Sequence, residues 1–264
     1  MLINFELTAL PDVIPWGPPN APSLSWFGLT DGRYWISVGE ATLFEYSQHA
    51  RDAGTPRYCD YQVVRLLEDI LDMLPSIMEP VPPTLVKYLS GDTGKAWQRK
   101  RSSWANEQFD SLDEDEFWRL AGLADSLSYG RFLDSAYLSA SANILMWSDE
   151  QNVHIEWDNS EKVFDGKPAW SAMKGHFQML REDFVSEVRS FHSRLIEQMT
   201  SRVSQVVAGA LSPEIRIDFP GLLTEHEQRR NTFNEGLGNN VATPWDEVEH
   251  AILEIANGPT AAGD

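Results

Sequence analysis

Apolar and polar residues alternate through much of residues 1–46, and this period of two predicts antiparallel strands. The first ten residues have the alternation of an edge strand. Residues 23–46 are rich in aromatic and β-branched side chains and contain two turn signals, Asp31-Gly32 and Gly39-Glu40. Two turns in one such segment indicate three antiparallel strands, the first of which ends at Asp31-Gly32.

A helical period replaces the alternation in two segments and predicts the two main helices. In residues 60–74 the apolar side chains recur every three or four positions, with Asp60 placed to cap the helix and Pro75 placed to end it. Residues 182–207 repeat this spacing over a longer stretch. The predicted fold class is therefore α+β in one compact domain, with antiparallel sheet from residues 1–46 and 134–180 packed against the helices of residues 60–74 and 182–207.

Shorter helices are predicted in the remaining sequence. Residues 113–126 open with consecutive acids, which suit the positive end of a helix dipole. Thr243-Pro244 has the composition of a helix start. The chain is accordingly divided into a main α+β domain (1–208), a C-terminal helical extension packed on it (209–256) and a disordered tail (257–264).

The charge of the chain limits its partners. A formal net charge of −19 makes nucleic acid and anionic membranes unfavourable partners and makes a basic protein a more favourable one. Cys59 is the only cysteine, so an intramolecular disulfide and a cysteine-based zinc site are excluded. No apolar run reaches the roughly 18 to 20 residues of a membrane helix, and Glu6 lies where a signal peptide requires an apolar core. The sequence predicts a cytoplasmic protein.

Specific catalytic motifs are absent. Residues 91–95 (GDTGK) are similar to a phosphate-binding loop, but Leu89 and Ala96 occupy positions that require Gly and Ser or Thr. His226-Glu227 begins a zinc-protease pattern whose second histidine position is Arg230. The sequence also contains no G-x-S-x-G nucleophile motif. We therefore expect no cofactor.

One basic cluster interrupts the acidic sequence: Lys95, Arg99, Lys100 and Arg101, with Trp97 and Trp104 between them. Such a mixture is typical of a phosphate or single-stranded nucleic acid site. The other interpretation is charge pairing with the acids of residues 110–116, which follow closely in the sequence. The pairing interpretation is favoured.

His154, Glu156 and Asp158 alternate with apolar residues, so a strand would project all three from one face. These side chains could bind a divalent metal ion or supply a carboxylate pair for hydrolysis, with Tyr34 or Asp31 of the first meander nearby. The other interpretation is the solvated face of an antiparallel strand, which carries no chemistry.

Four segments carry a resemblance to a known family: FELTALPDVIPWGPPNAPSLSWFGLTDGRYWI, YCDYQVVRLLEDILDMLP, VHIEWDN and EDFVSEVRSFHSRL. Over residues 1–205 the chain resembles a bacterial family known only as domain of unknown function 5984. The resemblance implies a bacterial cytoplasmic protein. It implies no catalytic residues, because none are assigned in that family.

We predict a binding protein without catalysis, in concrete terms an immunity protein that neutralises a basic toxin. The alternative is a hydrolase with a carboxylate or metal site around His154, Glu156 and Asp158. The binding prediction depends on the acidity, on the abundance of aromatic side chains and on the absence of catalytic motifs. The acids predicted to contact the partner flank turns: Asp113, Glu114, Asp115, Glu116, Asp149, Glu150, Asp158 and Glu161.

Overall fold

The computed structural model of the chain describes residues 1–258, and its first sheet has four antiparallel strands. They are β1 (Ile3–Leu7), β2 (Asp31–Val38), β3 (Ala41–Leu43) and β4 (Cys59–Gln62). β2 is central, because β1 pairs with one of its edges while β3 and β4 share the other. The predicted turn at Gly39-Glu40 joins β2 to β3, and Gly39 has the positive φ (+62°) that favours glycine.

The predicted first strand of the 23–46 meander is wrong. Residues 23–27 form no regular strand, Gly28–Thr30 is a single 3-10 turn, and Asp31-Gly32 begins β2 instead of turning the chain. Gly32 is required for close strand approach, since a Cβ atom there would collide with the Glu6 carbonyl oxygen of β1. The strand that pairs with this part of β2 comes from the N-terminal residues.

The second sheet consists of β5 (Ile144–Ser148), β6 (Asn152–Asp158) and β9 (Lys174–Leu180), all antiparallel in that order. A small hairpin, β7 (Val163–Phe164) and β8 (Lys167–Pro168), lies between β6 and β9 in the chain. Gly175 of β9 lies beneath the indole of Trp157, where a Cβ atom would overlap the ring. The strands of the second sheet begin at Ile144, later than the predicted residue 134. The prediction of a second antiparallel segment is confirmed.

The helices complete the α+β fold. They are α1 (Gln48–Asp52), α2 (Val63–Met78), α3 (Pro83–Leu89), α4 (Gly91–Gln108), α5 (Glu114–Ser126), α6 (Arg181–Val207), α7 (Phe219–Arg229), α8 (Thr232–Gly238) and α9 (Trp245–Asn257). Two predicted boundaries of α2 are wrong: Asp60 belongs to β4 because it pairs with Arg33, and Pro75 lies inside the helix. Within residues 1–258 no helix has both the length and the apolar content needed to cross a membrane.

Two apolar clusters hold these elements together. The larger one joins the first sheet, α2 and α6 with one face of the second sheet, and includes Leu67, Ile155 and Phe191. The smaller one joins α3, α4, α5 and α9 with the opposite face of β5, where Leu145 and Trp147 lie. β5 is therefore buried on both faces, and β6 contributes its apolar residues to the larger cluster.

The C-terminal residues pack on both clusters. Leu222 of α7 and Phe233 of α8 belong to the larger cluster, and α9 belongs to the smaller one. Glu79 fixes the start of α9, because its carboxylate accepts hydrogen bonds from the Thr243 backbone N–H and hydroxyl, both at 2.6 Å. The proposed boundary between residues 208 and 209 stays a prediction. Asn257 of the predicted tail still belongs to α9, and residues 259–264 lie outside the described residues.

Candidate functional site

The predicted trio of His154, Glu156 and Asp158 does lie on one face of β6. Cross-strand register places Gln178, His176 and Lys174 of β9 directly opposite the three residues in that order. The N-terminal end of α4 approaches this face and meets Glu156 and Asp158. Sequence periodicity predicted the shared face, whereas the helix that meets it comes from a distant part of the chain.

His154 belongs to a chain of hydrogen-bonded side chains. Its Nε2 lies 2.9 Å from Asp149 Oδ2, and its Nδ1 lies 3.0 Å from Nε2 of His176. The imidazole is buried and stacks on Trp147, with ring centroids 4.0 Å apart. Because the Asp149 carboxylate can only accept, His154 donates to it through Nε2, which leaves Nδ1 facing Nε2 of His176. This arrangement orients His176, whose side chain is exposed.

Glu156 joins the sheet to α4. One carboxylate oxygen accepts a hydrogen bond from Trp147 Nε1 at 3.0 Å, and the other accepts one from the Gly91 backbone N–H at 3.1 Å. Gly91 is the first residue of α4, so the carboxylate lies at the positive end of the helix dipole. Both contacts fix the position of the carboxylate between β5 and α4.

Asp158 pairs with Lys95 in the second turn of α4. Partial burial works to raise the pKa of Asp158, but hydrogen bonds from Lys95 and Ser160 outweigh it and lower the pKa to about 2. Lys174 of β9 lies 3.7 Å from the same carboxylate and 2.6 Å from Asp92. These pairs line a small pocket that is open to solvent and has an apolar wall of Leu89, Phe132 and Leu145.

The arrangement does not surround one point with ligands. Over the part of the chain that the structure describes, no three His, Cys, Asp or Glu side chains are placed to hold a metal ion. Hydrolysis by a carboxylate pair needs one protonated acid, and the lowered pKa of Asp158 makes this residue unsuited to that role. Asp31 and Tyr34 do not line this pocket, because they belong to the other sheet, where Tyr34 is fully buried.

The acids at the start of α5 have different local roles. Asp113 caps the helix, accepting bonds from the N–H groups of Asp115 (3.2 Å) and Glu116 (3.4 Å). Glu116 forms a two-bond pair with Arg119, with both bonds at 2.7 Å. Glu114 and Asp115 are exposed and form no ion pair with any residue in 1–258. Two of the four predicted acids are thus available to a partner without breaking a contact.

The second predicted acidic group is also divided. Asp149 accepts bonds from two amides of its own turn and from His154, and these overcome the effect of its partial burial to lower its pKa to about 2. Asp158 is held by Lys95, as described above. Glu150 and Glu161 are exposed. Lys95 and Gln108 are separated by about 20 Å along α4, at 1.5 Å per residue. Asp158 therefore lies near the opposite end of α4 from the acids of α5, and the eight predicted acids do not form one patch.

Two members of the basic cluster pair with acids, but not with those predicted. Arg101 pairs with Asp125 of α5, Lys95 pairs with Asp158 of β6, and Lys100 donates to the Ala256 carbonyl of α9. The predicted partners in residues 110–116 follow α4 directly and lie beyond its C-terminal end, so they are out of reach of its first turns. The cluster connects α4 to three other elements.

Two exposed aromatic residues were missed by the sequence reasoning. Phe109 and Trp118 are 59% and 58% exposed, and their ring centroids lie 6.5 Å apart. Both rings pack edge-on against the buried Phe117, at 5.5 Å and 5.1 Å. The sequence does indicate that Trp118 is exposed. It follows Phe117 directly and so lies about 100° around the helix from the apolar stripe.

Among the comparisons with known proteins, a family profile gives a match. No curated protein and no solved structure matches this chain significantly. The profile of one family matches residues 2–251, which extends the resemblance beyond residue 205 and includes the helices that follow α6. The chain belongs to the family described as "Family of unknown function (DUF5984)".

Proposed function

We propose that the protein binds and neutralises a basic protein, in the manner of a toxin immunity protein, through a surface where α4 ends and α5 begins. This acidic–aromatic surface consists of Phe109, Asp110, Glu114, Asp115 and Trp118. The observation that carries the proposal is the contact between two large, more than half exposed aromatic rings beside acids that form no ion pair with any described residue.

The aromatic part of the surface has the properties of an interface anchor. Contiguous exposed apolar groups rimmed by polar residues mark interaction sites, and Trp is among the residues that dominate binding energy. Phe117 supports both rings from beneath and itself stacks on Trp104 at 5.4 Å. Because Phe117 holds the two rings before binding, the rings lose little side-chain entropy when a partner contacts them.

A groove continues from the two rings between α4 and α5. Its floor consists of the small residues Ala105, Ala121 and Gly122, and the Arg101–Asp125 pair lies at its other end. A Cβ atom added at Gly122 would meet open space. The groove therefore has room for an apolar side chain of the partner, beside the rings.

The charges supply attraction at long range. Asp110, Glu114 and Asp115 are exposed on a chain whose net charge is −19. Such a field speeds the approach of a basic partner, while desolvated aromatic contacts determine how long the complex lasts. The hydrolase alternative has less support, because the groups around Asp158 pair with one another.

The test is binding of a partner isolated from cells that carry the gene, with each half of the surface changed separately. Trp118→Ala should raise the dissociation rate about tenfold or more, at little change in the association rate. The double variant Glu114→Gln, Asp115→Asn should slow association and flatten its dependence on salt. Both rates are measured by surface plasmon resonance on the purified pair.

Matched controls remove an exposed aromatic ring or two exposed acids elsewhere on the protein. Tyr129→Ala removes a ring that is 78% exposed beyond the C-terminal end of α5. Glu40→Gln with Glu214→Gln removes two exposed acids that form no ion pair with a described residue. If the control variants change the two rates as much as the test variants do, or if no variant changes them, the acidic–aromatic surface is not the binding site.

A further inference from the structure

β9 has one edge that no described residue pairs with. Its ladder with β6 is bounded by two bonds, Asn159 N–H to the Met173 carbonyl (2.6 Å) and Arg181 N–H to the Gln151 carbonyl (3.0 Å). Hydrogen-bonded and non-hydrogen-bonded pairs alternate along an antiparallel ladder. Residues 175, 177 and 179 therefore bond to β6, while Lys174, His176 and Gln178 direct their N–H and C=O groups outward.

These outward groups remain unpaired over residues 1–258. None of the backbone hydrogen bonds outside the ladders involves Lys174, His176 or Gln178, and no described side chain bonds to their N–H or C=O groups. Their own side chains are exposed as well. A strand with free donors and acceptors of this kind is a template for another strand.

Described residues bond to two of the other sheet edges. The outer edge of β5 is closed by residues 131–133, with Met146 N–H bonded to the Arg131 carbonyl at 2.8 Å and Leu133 N–H bonded to the Ile144 carbonyl at 2.9 Å. At the outer edge of β1, Arg194 of α6 donates to the Ile3 carbonyl at 2.7 Å. The open edge of β9 differs from both.

We propose that the β9 edge binds an extended, basic segment of a protein partner as a fourth strand of the second sheet. Main-chain hydrogen bonds would provide the affinity, as in other complexes formed by strand addition. One face of the added strand would lie beside Phe177 and Met179, which are partly buried against the larger cluster. Alternate residues of the segment are therefore apolar.

Charge selects a basic segment over a second copy of this chain. Glu150, Glu182 and Asp183 are exposed where β9 meets α6, and none of them has an ion pair within the described residues. Two copies that pair their β9 strands would each carry a net charge of −19, and this like charge disfavours their association. A segment that alternates Lys or Arg with Val or Thr matches both the charge and the face pattern.

The β9 edge is distinct from the acidic–aromatic surface. Lys174 contacts Asp92 in the first turn of α4, whereas Phe109 follows the last turn of this helix, so about 25 Å of helix separates them. The two surfaces could bind one partner or two. The inference does not depend on the proposed function, and the test keeps the two apart.

The probe is a capped octapeptide of alternating valine and lysine, added to the full chain labelled for NMR. In the free protein the amides of His176 and Gln178 should exchange with solvent fast, and those of residues 175, 177 and 179 slowly. Saturating peptide should slow exchange at His176 and Gln178 by about tenfold or more. A peptide with the two central residues replaced by proline should have no effect there.

Substitution at Gln178 gives the matched pair of proteins. Gln178→Pro removes an outward N–H without removing a ladder bond, and should weaken peptide binding about tenfold. Gln178→Ala removes only the side chain and should bind like the wild type. Thermal unfolding of both variants shows whether the strand still folds. If the proline variant does not fold, the test is amide exchange in Gln178→Ala. Saturating peptide should slow exchange at its outward β9 amides as it does in the wild type.

Two results would overturn the proposal. Slow exchange at His176 and Gln178 without peptide, with a protein mass that grows with concentration, assigns the edge to a second copy. Peptide binding with no change at β9 places the peptide elsewhere. If this binding is lost in the Glu114→Gln, Asp115→Asn variant, the acidic–aromatic surface is the site and only the edge proposal fails.

Discussion

The buried carboxyl group of Asp69 leads to a prediction about stability and pH. Its side chain is 5% exposed, lies 3.1 Å from Arg65, and accepts a hydrogen bond from the Tyr137 hydroxyl at 3.3 Å. The Tyr137 hydroxyl also lies 2.9 Å from that of Tyr34. Burial raises the pKa of Asp69 to about 7, against the opposing attraction of Arg65.

The sign of the effect follows from the direction of that shift. In the unfolded chain the carboxyl has a pKa near 3.9. Because the folded protein holds the proton more tightly, stability is greatest at low pH for this group and is lost as the pH rises from about 4 to about 7. With these two pKa values, ionisation of Asp69 should lower the free energy of unfolding by ~2 to 3 kcal/mol between pH 5 and pH 8.

Asp69→Asn isolates this contribution. The amide keeps an oxygen for the Tyr137 hydroxyl and cannot ionise, so the variant should lack that part of the fall in stability. Urea unfolding at pH 5, 6, 7 and 8 gives the free energy for both proteins. Asp72→Asn, exposed on the same helix, should follow the wild type. Parallel pH profiles for wild type and Asp69→Asn would show that Asp69 ionises normally in the folded protein.

Three further substitutions test the core, the contact of Glu79 with the start of α9, and the second sheet. Phe191→Ala removes a fully buried ring and should lower the free energy of unfolding in urea by about 3 to 5 kcal/mol. Glu79→Gln keeps the size of the side chain but weakens its two bonds to Thr243, so amide exchange in α9 should accelerate about tenfold. Gly175→Ala adds a methyl group against Trp157, which should lower the thermal midpoint and change the near-UV circular dichroism of tryptophan.

Each substitution has a control of the same chemistry at an open position. Leu253→Ala on the exposed side of α9 should change stability by less than about 0.5 kcal/mol. Glu235→Gln in α8 should leave exchange in α9 unchanged. Gly122→Ala has open space at its Cβ and should be neutral or stabilising by about 0.5 to 1 kcal/mol. Equal behaviour of Gly175→Ala and Gly122→Ala would contradict the close contact over β9.

Elements with a long, regular apolar period were predictable from the sequence. α6 extends from Arg181 to Val207 against a prediction of 182–207, because its apolar stripe keeps helical spacing over the whole length and is buried throughout. α7 and α8 were missed for the converse reason. Each buries few large apolar side chains, Leu222 in one and Phe233 in the other, so neither has a stripe that a periodic pattern could detect.

Strand pairing between distant segments was not predictable. The sequence predicts a helix that starts at Asp60, since Asp60 is a good cap and apolar residues follow at helical spacing. Residues Cys59–Gln62 form β4 instead, because the open edge of β2 is available beside them, with Arg33 opposite Asp60. The local sequence contains no information about that edge, so tertiary pairing overrides the capping preference.

The contacts of His154, Glu156 and Asp158 on β6 were likewise not predictable, because their partners come from distant segments. These contacts suggest a role for Glu156 and Asp158. Glu156 and Asp158 hold the first turns of α4 through Gly91 and Lys95. Phe109 follows the last turn of the same helix, about 25 Å from its first turns at 1.5 Å per residue. Because a helix is stiff over this length, contacts that fix its first turns to the sheet also fix where its far end lies. The polar face of β6 thus contributes to the acidic–aromatic surface by positioning α4, which is a structural reason for carboxylates there that needs neither metal nor catalysis.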